Sequence, residues 1–221
     1  YRGASDGYHA MATVLNPTSP PGFDFFMLRA GMKIMQHGYN TLKQAITEGQ
    51  YSFEKGLFFG GRQLEEGPRK YIKWLENHLG TPENIVAIDI HTGLGKKGVD
   101  TLLVDLPSSD PTFEALQARF GHRVASWDAE QSVAYQIHGG HPSMVPRILP
   151  GTTVQFITQE FGTIPALKVL HALREENRWH HFGDGTLDHP AKAGILNAFR
   201  PSGNDWKEDI LRRGAELYNE A

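Results

Sequence analysis

Apolar residues fall along this chain in two periodicities, and each predicts a set of elements. From Phe23 to Glu48, Phe26, Leu28, Met32, Ile34, Met35, Leu42, Ala45 and Ile46 recur at helical spacing. The pattern predicts one helix with weak points at Gly31 and Gly38, closed by Gly49, with its methionines as core filler. Behind Pro68, tolerated in a first turn, Tyr71, Ile72, Leu75 and Leu79 form a second stripe that Gly80-Thr81-Pro82 stops. Further helices are expected over 112–120, capped by Asp110 or Thr112, and over 165–177, 191–199 and 206–219. Ile85-Val86-Ala87-Ile88 instead places apolar side chains on consecutive positions, as in a strand buried on both faces, which Thr92-Gly93 should end. Asp100–Leu106 and Thr152–Gln159 read as strands too, with extended pieces over 123–127 and 132–137.

Two stretches are rich in breakers. Asn16-Pro-Thr-Ser-Pro-Pro-Gly22 cannot sustain a helix, so residues 1–22 read as a loop or linker before a single domain over 23–221. His138–Pro150 is read as irregular, which leaves His138 and His141 a metal pair in text only. Helices alternating with strands place the domain in the α/β class.

Composition narrows the chemistry. The chain has 221 residues and a net charge of −3, with no electrostatic footprint for nucleic acid or an anionic membrane. No run of eighteen apolar residues occurs. Tyr1 is followed by no signal-peptide pattern, so localisation reads as cytoplasmic or unassigned. With eleven histidines and no cysteine, any transition-metal site must be built from imidazole and carboxylate.

The candidate chemistry sits at strand ends. Asp89 and His91, two apart on an extended chain, share a face, and ligands gather beyond the carboxyl ends of strands in open α/β sheets. Glu160-Phe161-Gly162-Thr163 puts a second carboxylate at the mouth of another strand. Arg62, beside Gly60-Gly61 in an aromatic and glycine-rich loop, and Tyr135 are candidates for holding a substrate, with a solvated surface role as the alternative for Arg62. His180-His181 with Asp184 is a weaker metal-like group, because adjacent residues diverge on a regular element. No G-x-S-x-G elbow is present for a serine nucleophile.

Gln50-Tyr51, Gly56-Leu57-Phe58-Phe59-Gly60-Gly61, Ile88-Asp89-Ile90-His91-Thr92-Gly93-Leu94-Gly95 and Glu160-Phe161-Gly162-Thr163 resemble, in order and spacing, an uncharacterised and mostly bacterial family of zinc carboxypeptidase-like proteins. That family belongs with carboxypeptidase A, succinylglutamate desuccinylase and aspartoacylase. The resemblance implies a three-layer α/β/α sandwich around a mixed sheet. It also implies His91 as a zinc ligand, Glu160 as the general base on zinc-bound water, Asp89 and Thr92 as supporting residues, and a peptide or N-acyl amino acid as substrate.

The group's pattern also calls for an H-x-x-E motif and an early Asn-Arg pair. No histidine here has Glu three residues on, and Asn177-Arg178 lies far too late. The chain is therefore expected to be the C-terminal part of such a domain, with an exposed sheet edge that self-association would cover. A non-catalytic binding or structural module without metal is the competing expectation.

Overall fold

The computed structural model describes residues 3–126 and 140–221. Among them stand nine α-helices and one four-stranded mixed sheet, an α/β protein. The sheet order is β1-β4-β2-β3, with β1 (Asn84–Lys97), β2 (Asp100–Val104), β3 (Val124–Ser126) and β4 (Thr153–Gly162). β1 pairs parallel with β4, β4 antiparallel with β2, and β2 parallel with β3. The strand expected over 132–137 lies outside the described residues.

The first correction concerns the segment read as a linker. Asp6–Leu15 is a helix, α1, with Ser5 as N-cap accepting from the Tyr8 amide at 3.2 Å. Tyr8, Met11, Val14 and Leu15 are all buried, and the Tyr8 hydroxyl donates to the Leu57 carbonyl at 2.6 Å. Burial pushes the Tyr8 phenol up to about 12. The breakers at 16–22 misled because they follow this helix rather than run through it.

The stretch from Asn16 to Asp24 stays irregular and is clamped from α7 (Ala166–Phe182) by two buried arginines. Arg174 Nε donates to the Val14 carbonyl at 2.6 Å, and its guanidinium pairs with Asp24. Arg178 donates to the carbonyls of Ser19 at 3.0 Å, Gly22 at 3.1 Å and Pro20. Breaker-rich backbone has no partners of its own, and two forked cations supply them. Burial by itself would raise the Asp24 carboxyl, but the bond and charge of Arg174, with Arg178 and Arg29 beside it, hold it below the ordinary carboxylate range. A depressed carboxyl stabilises the fold above its unfolded pKa, and that contribution is lost as pH falls through the lower folded value. The wild-type chain is therefore expected to lose more stability than Asp24→Asn as pH drops below about 4, read from urea unfolding midpoints.

The long helix expected over 23–48 is two, α2 (Phe26–His37) and α3 (Tyr39–Thr47), broken at Gly38 with φ 81°. Phe26 and Ala30 enter the same core as α1, while Met27, Leu28, Met32 and Met35 face solvent, so the three methionines expected as core filler lie outside it. On one face of the sheet, Leu75 of α4 (Glu66–His78) and Val145 of α6 (His141–Ile148) pack near Val154 and Phe156 of β4. On the other, Leu116 of α5 (Pro111–Phe120) and Leu217 of α9 (Asn204–Glu220) pack on Leu102 and Ile157. α8 (Pro190–Phe199) lies against α7 and β1.

α6 corrects the irregular reading of 138–150. It survives Pro146 because Val145 and Leu149 are buried against β4, a tertiary gain that outweighs one missing backbone bond. β1 departs from its reading in two ways. Among the described strands it stands at the sheet edge, with Ile90 60% exposed, and is not covered on both faces. It also runs through His91-Thr92-Gly93 to Lys97 instead of stopping there, with a register shift in which Gly93 and Lys97 both pair with Gly162. No helix among the described residues is long and apolar enough to cross a membrane.

Candidate functional site

The register of β1 on β4 aligns His91 with Glu160. The strands are parallel, so both residues leave the sheet at the same carboxyl-end rim and on the same face. His91 Nδ1 lies 3.8 Å from Glu160 Oε2, and His91 Nε2 lies 3.0 Å from Asp89 Oδ2. The imidazole stands between two carboxylates.

The register shift supplies a further contact. Gly93 at φ 144° and Gly95 at φ 109° let β1 bulge out of the ladder, which leaves the Leu94 amide without a strand partner. That amide donates to Glu160 Oε1 at 2.8 Å. The Glu160 side chain is only 7% exposed, and its burial raises the carboxyl above its ordinary range. The Leu94 amide and His91 pull the other way, and Asp89 pushes up again. A carboxyl poised above its usual value and facing an imidazole can both accept and return a proton.

His91 presents Nε2 to Asp89 and Nδ1 to Glu160, a carboxylate beside each ring nitrogen. A metal-ligating imidazole is commonly held this way, its other nitrogen donating to a carboxylate, so the chemistry of His91 fits one zinc ligand. The remaining ligands are not supplied: among the described residues no group of three or more His, Asp or Glu is disposed to hold a metal ion. His180 and His181, on the last turn of α7, stack edge to face with ring centroids 4.7 Å apart. Burial and the neighbouring His180 lower the His181 imidazole.

Thr92 and Arg62 do not join the His91–Glu160 pair. Thr92 alternates to the opposite face of β1, where its hydroxyl donates to the Phe199 carbonyl at 2.8 Å and ties the strand to α8. Arg62 is exposed, paired with Glu54, and lines a cleft with Tyr51, Gly60 and Gly61. Tyr135 lies outside the described residues. His141, which the sequence offers only as a doubtful pair with His138, is brought to the rim by α6: its Nδ1 is 3.4 Å from Asp89 Oδ2, and its ring lies 5.2 Å from that of Tyr71 on α4. No spacing in the sequence signals that approach, because it depends on α6 packing over β4.

No curated protein and no solved structure matches the chain. A family model described as a protein of unknown function (DUF2817) matches residues 3–213, and the chain belongs to that family.

Proposed function

We propose that the rim of β1 and β4 is the proton-transfer half of an amide-bond hydrolase acting on peptides or N-acyl amino acids, of the zinc carboxypeptidase-like kind. The observation that carries this reading is the placement of His91 and Glu160 side by side, on one face, at the ends of two parallel strands. Helices on both faces of a mixed sheet also agree with a three-layer α/β/α sandwich.

In this reading Glu160 takes a proton from the water that attacks the amide carbonyl and delivers it to the departing amine. Its raised affinity for protons suits both steps. The Leu94 amide holds Oε1, which leaves Oε2 on the side of His91. Asp89 holds the His91 ring by Nε2. Zinc, with His91 Nδ1 as one ligand, would supply Lewis acidity and lower the pKa of water. The described residues do not complete its ligand set, so no step here depends on it. The exposed β1 edge is where self-association would act, by strand pairing between two copies.

Glu160→Gln is expected to lower amide hydrolysis by about a hundredfold or more. Folding should persist, because the amide oxygen still accepts from Leu94 and the cost of ionising a buried carboxyl is gone. A raised carboxyl loses stability as pH rises from its unfolded value to its folded one, so the variant should be no less stable at neutral pH. Hydrolysis unchanged in both Glu160→Gln and His91→Ala would end the reading.

The second reading is a binding module without metal. It draws on the carboxylates facing both nitrogens of His91, an arrangement that also serves as a closed structural network. Zinc titration followed by calorimetry separates the two: stoichiometric uptake lost in His91→Ala favours the hydrolase, and no uptake favours the module.

A further inference from the structure

Asp89 makes two contacts through one oxygen. Oδ2 lies 3.0 Å from His91 Nε2 and 3.4 Å from His141 Nδ1, so a single carboxylate joins an imidazole of β1 to an imidazole of α6. The Asp89 side chain is 31% exposed and stands on an edge strand, where a lone aspartate has rotamers that lead away into solvent. His141 is anchored better than its exposure suggests. It opens α6, whose Val145 and Leu149 are buried against β4, and its ring rests beside Tyr71 of α4.

We propose that His141 is a positioning residue of this site: by holding Asp89 from the α6 side, it fixes the ring of His91 in the Nε2–H tautomer with Nδ1 turned to Glu160. The inference rests on the functional reading for its consequence in catalysis, but its structural content stands independently. The order of support runs from α6 through His141 and Asp89 to His91, then to the buried carboxyl of Glu160. Without His141, Asp89 is free to swing outward, and the His91 ring loses the acceptor that distinguishes its two nitrogens. His141 need not touch a substrate to matter.

The contact through Nδ1 gives the test its discrimination. An asparagine places its side-chain amide about where imidazole Nδ1 stands, whereas a glutamine places it near Nε2. Ring nitrogen shifts of His91 would be recorded by long-range proton–nitrogen NMR on the whole chain at about pH 8, above the ordinary imidazole range. His91 is expected to show two well-separated nitrogen shifts, in the Nε2–H pattern, in the wild type and in His141→Asn. Averaged shifts are expected in His141→Ala and His141→Gln. Where amide hydrolysis is measured, the same two variants should lose about ten- to a hundredfold in kcat with KM little changed, and His141→Asn should recover most of it.

Averaged His91 shifts in the wild type, or unchanged shifts in His141→Ala, would overturn the proposal. So would equal behaviour of the Asn and Gln variants. If the shifts follow the expected pattern while no amide is hydrolysed, the positioning role stands and the hydrolase reading falls. Because the His141 side chain is 45% exposed, none of these substitutions empties a core position.

Discussion

Arg174→Leu is expected to lose about 3–5 kcal/mol of unfolding free energy, the usual result of removing one partner from a buried ion pair. The Arg174 side chain is fully buried, pairs with Asp24 and Glu175, donates to the Val14 carbonyl, and stacks over the Phe26 ring at 5.0 Å. Leucine keeps some apolar contact and leaves the Val14 carbonyl without its donor and Asp24 without its closest cation. The damage is local in origin but wide in effect, because Val14 lies in the last turn of α1, Asp24 precedes α2, and both helices share a core with α7. Against a total stability of about 5–15 kcal/mol, such a loss is a large fraction. Urea unfolding followed by circular dichroism measures it. Arg212→Ala, on the exposed face of α9, should change the unfolding free energy by less than about 0.5 kcal/mol.

Gly162→Ala is the second large effect, and it falls on the Glu-Phe-Gly-Thr motif itself. A β-carbon there would meet the Lys96 carbonyl oxygen at 2.2 Å and the Gly95 carbonyl carbon at 2.4 Å, both backbone atoms that cannot turn aside. The bulge of β1 lies directly over this residue. Gly162 also accepts from the Gly98 amide at 3.1 Å and from the Trp206 indole at 3.0 Å, and donates to the Val99 carbonyl at 3.1 Å. Relieving the clash therefore means pulling apart the bonds that seat α9 and the start of β2. A loss of about 3 kcal/mol is expected, at the upper end for overpacking, together with displacement of the Leu94 amide from Glu160. Gly31→Ala is the contrasting case. A β-carbon meets nothing within 4 Å in α2, so a gain of about 0.5–1 kcal/mol is expected. If Gly162→Ala unfolds at the wild-type midpoint, the close approach of β1 to β4 is wrong.

Both cases indicate what kind of information the motifs carry. The glycines of His-Thr-Gly-Leu-Gly and Glu-Phe-Gly-Thr read naturally as the turn that ends a strand. In the fold they form one feature: Gly93 and Gly95 take positive φ so that the chain can bulge, and Gly162 lacks a β-carbon so that the bulge can lie over it. The residues were visible in the sequence and their mutual contact was not. The same holds for Arg174 and Arg178, which in the fold reach the Val14 carbonyl and the breaker-rich backbone at 19–22 respectively.

What the sequence determined by itself is local. Period and breaker placement located the helices of 66–78, 111–120, 166–182, 190–199 and 204–220 to within a few residues, and alternation put Asp89 and His91 on one face. These follow from backbone geometry and side-chain spacing, which act over a handful of positions. Tertiary structure decided the rest. It set β1 beside β4 in parallel register, so that His91 meets Glu160, and it left β1 at the edge with Ile90 in solvent. It also kept α1 and α6 helical beside their prolines by burying Tyr8 and Val145, and it carried His141 to Asp89. Such outcomes depend on which surfaces are buried against each other across tens of residues, a free energy that no local pattern contains.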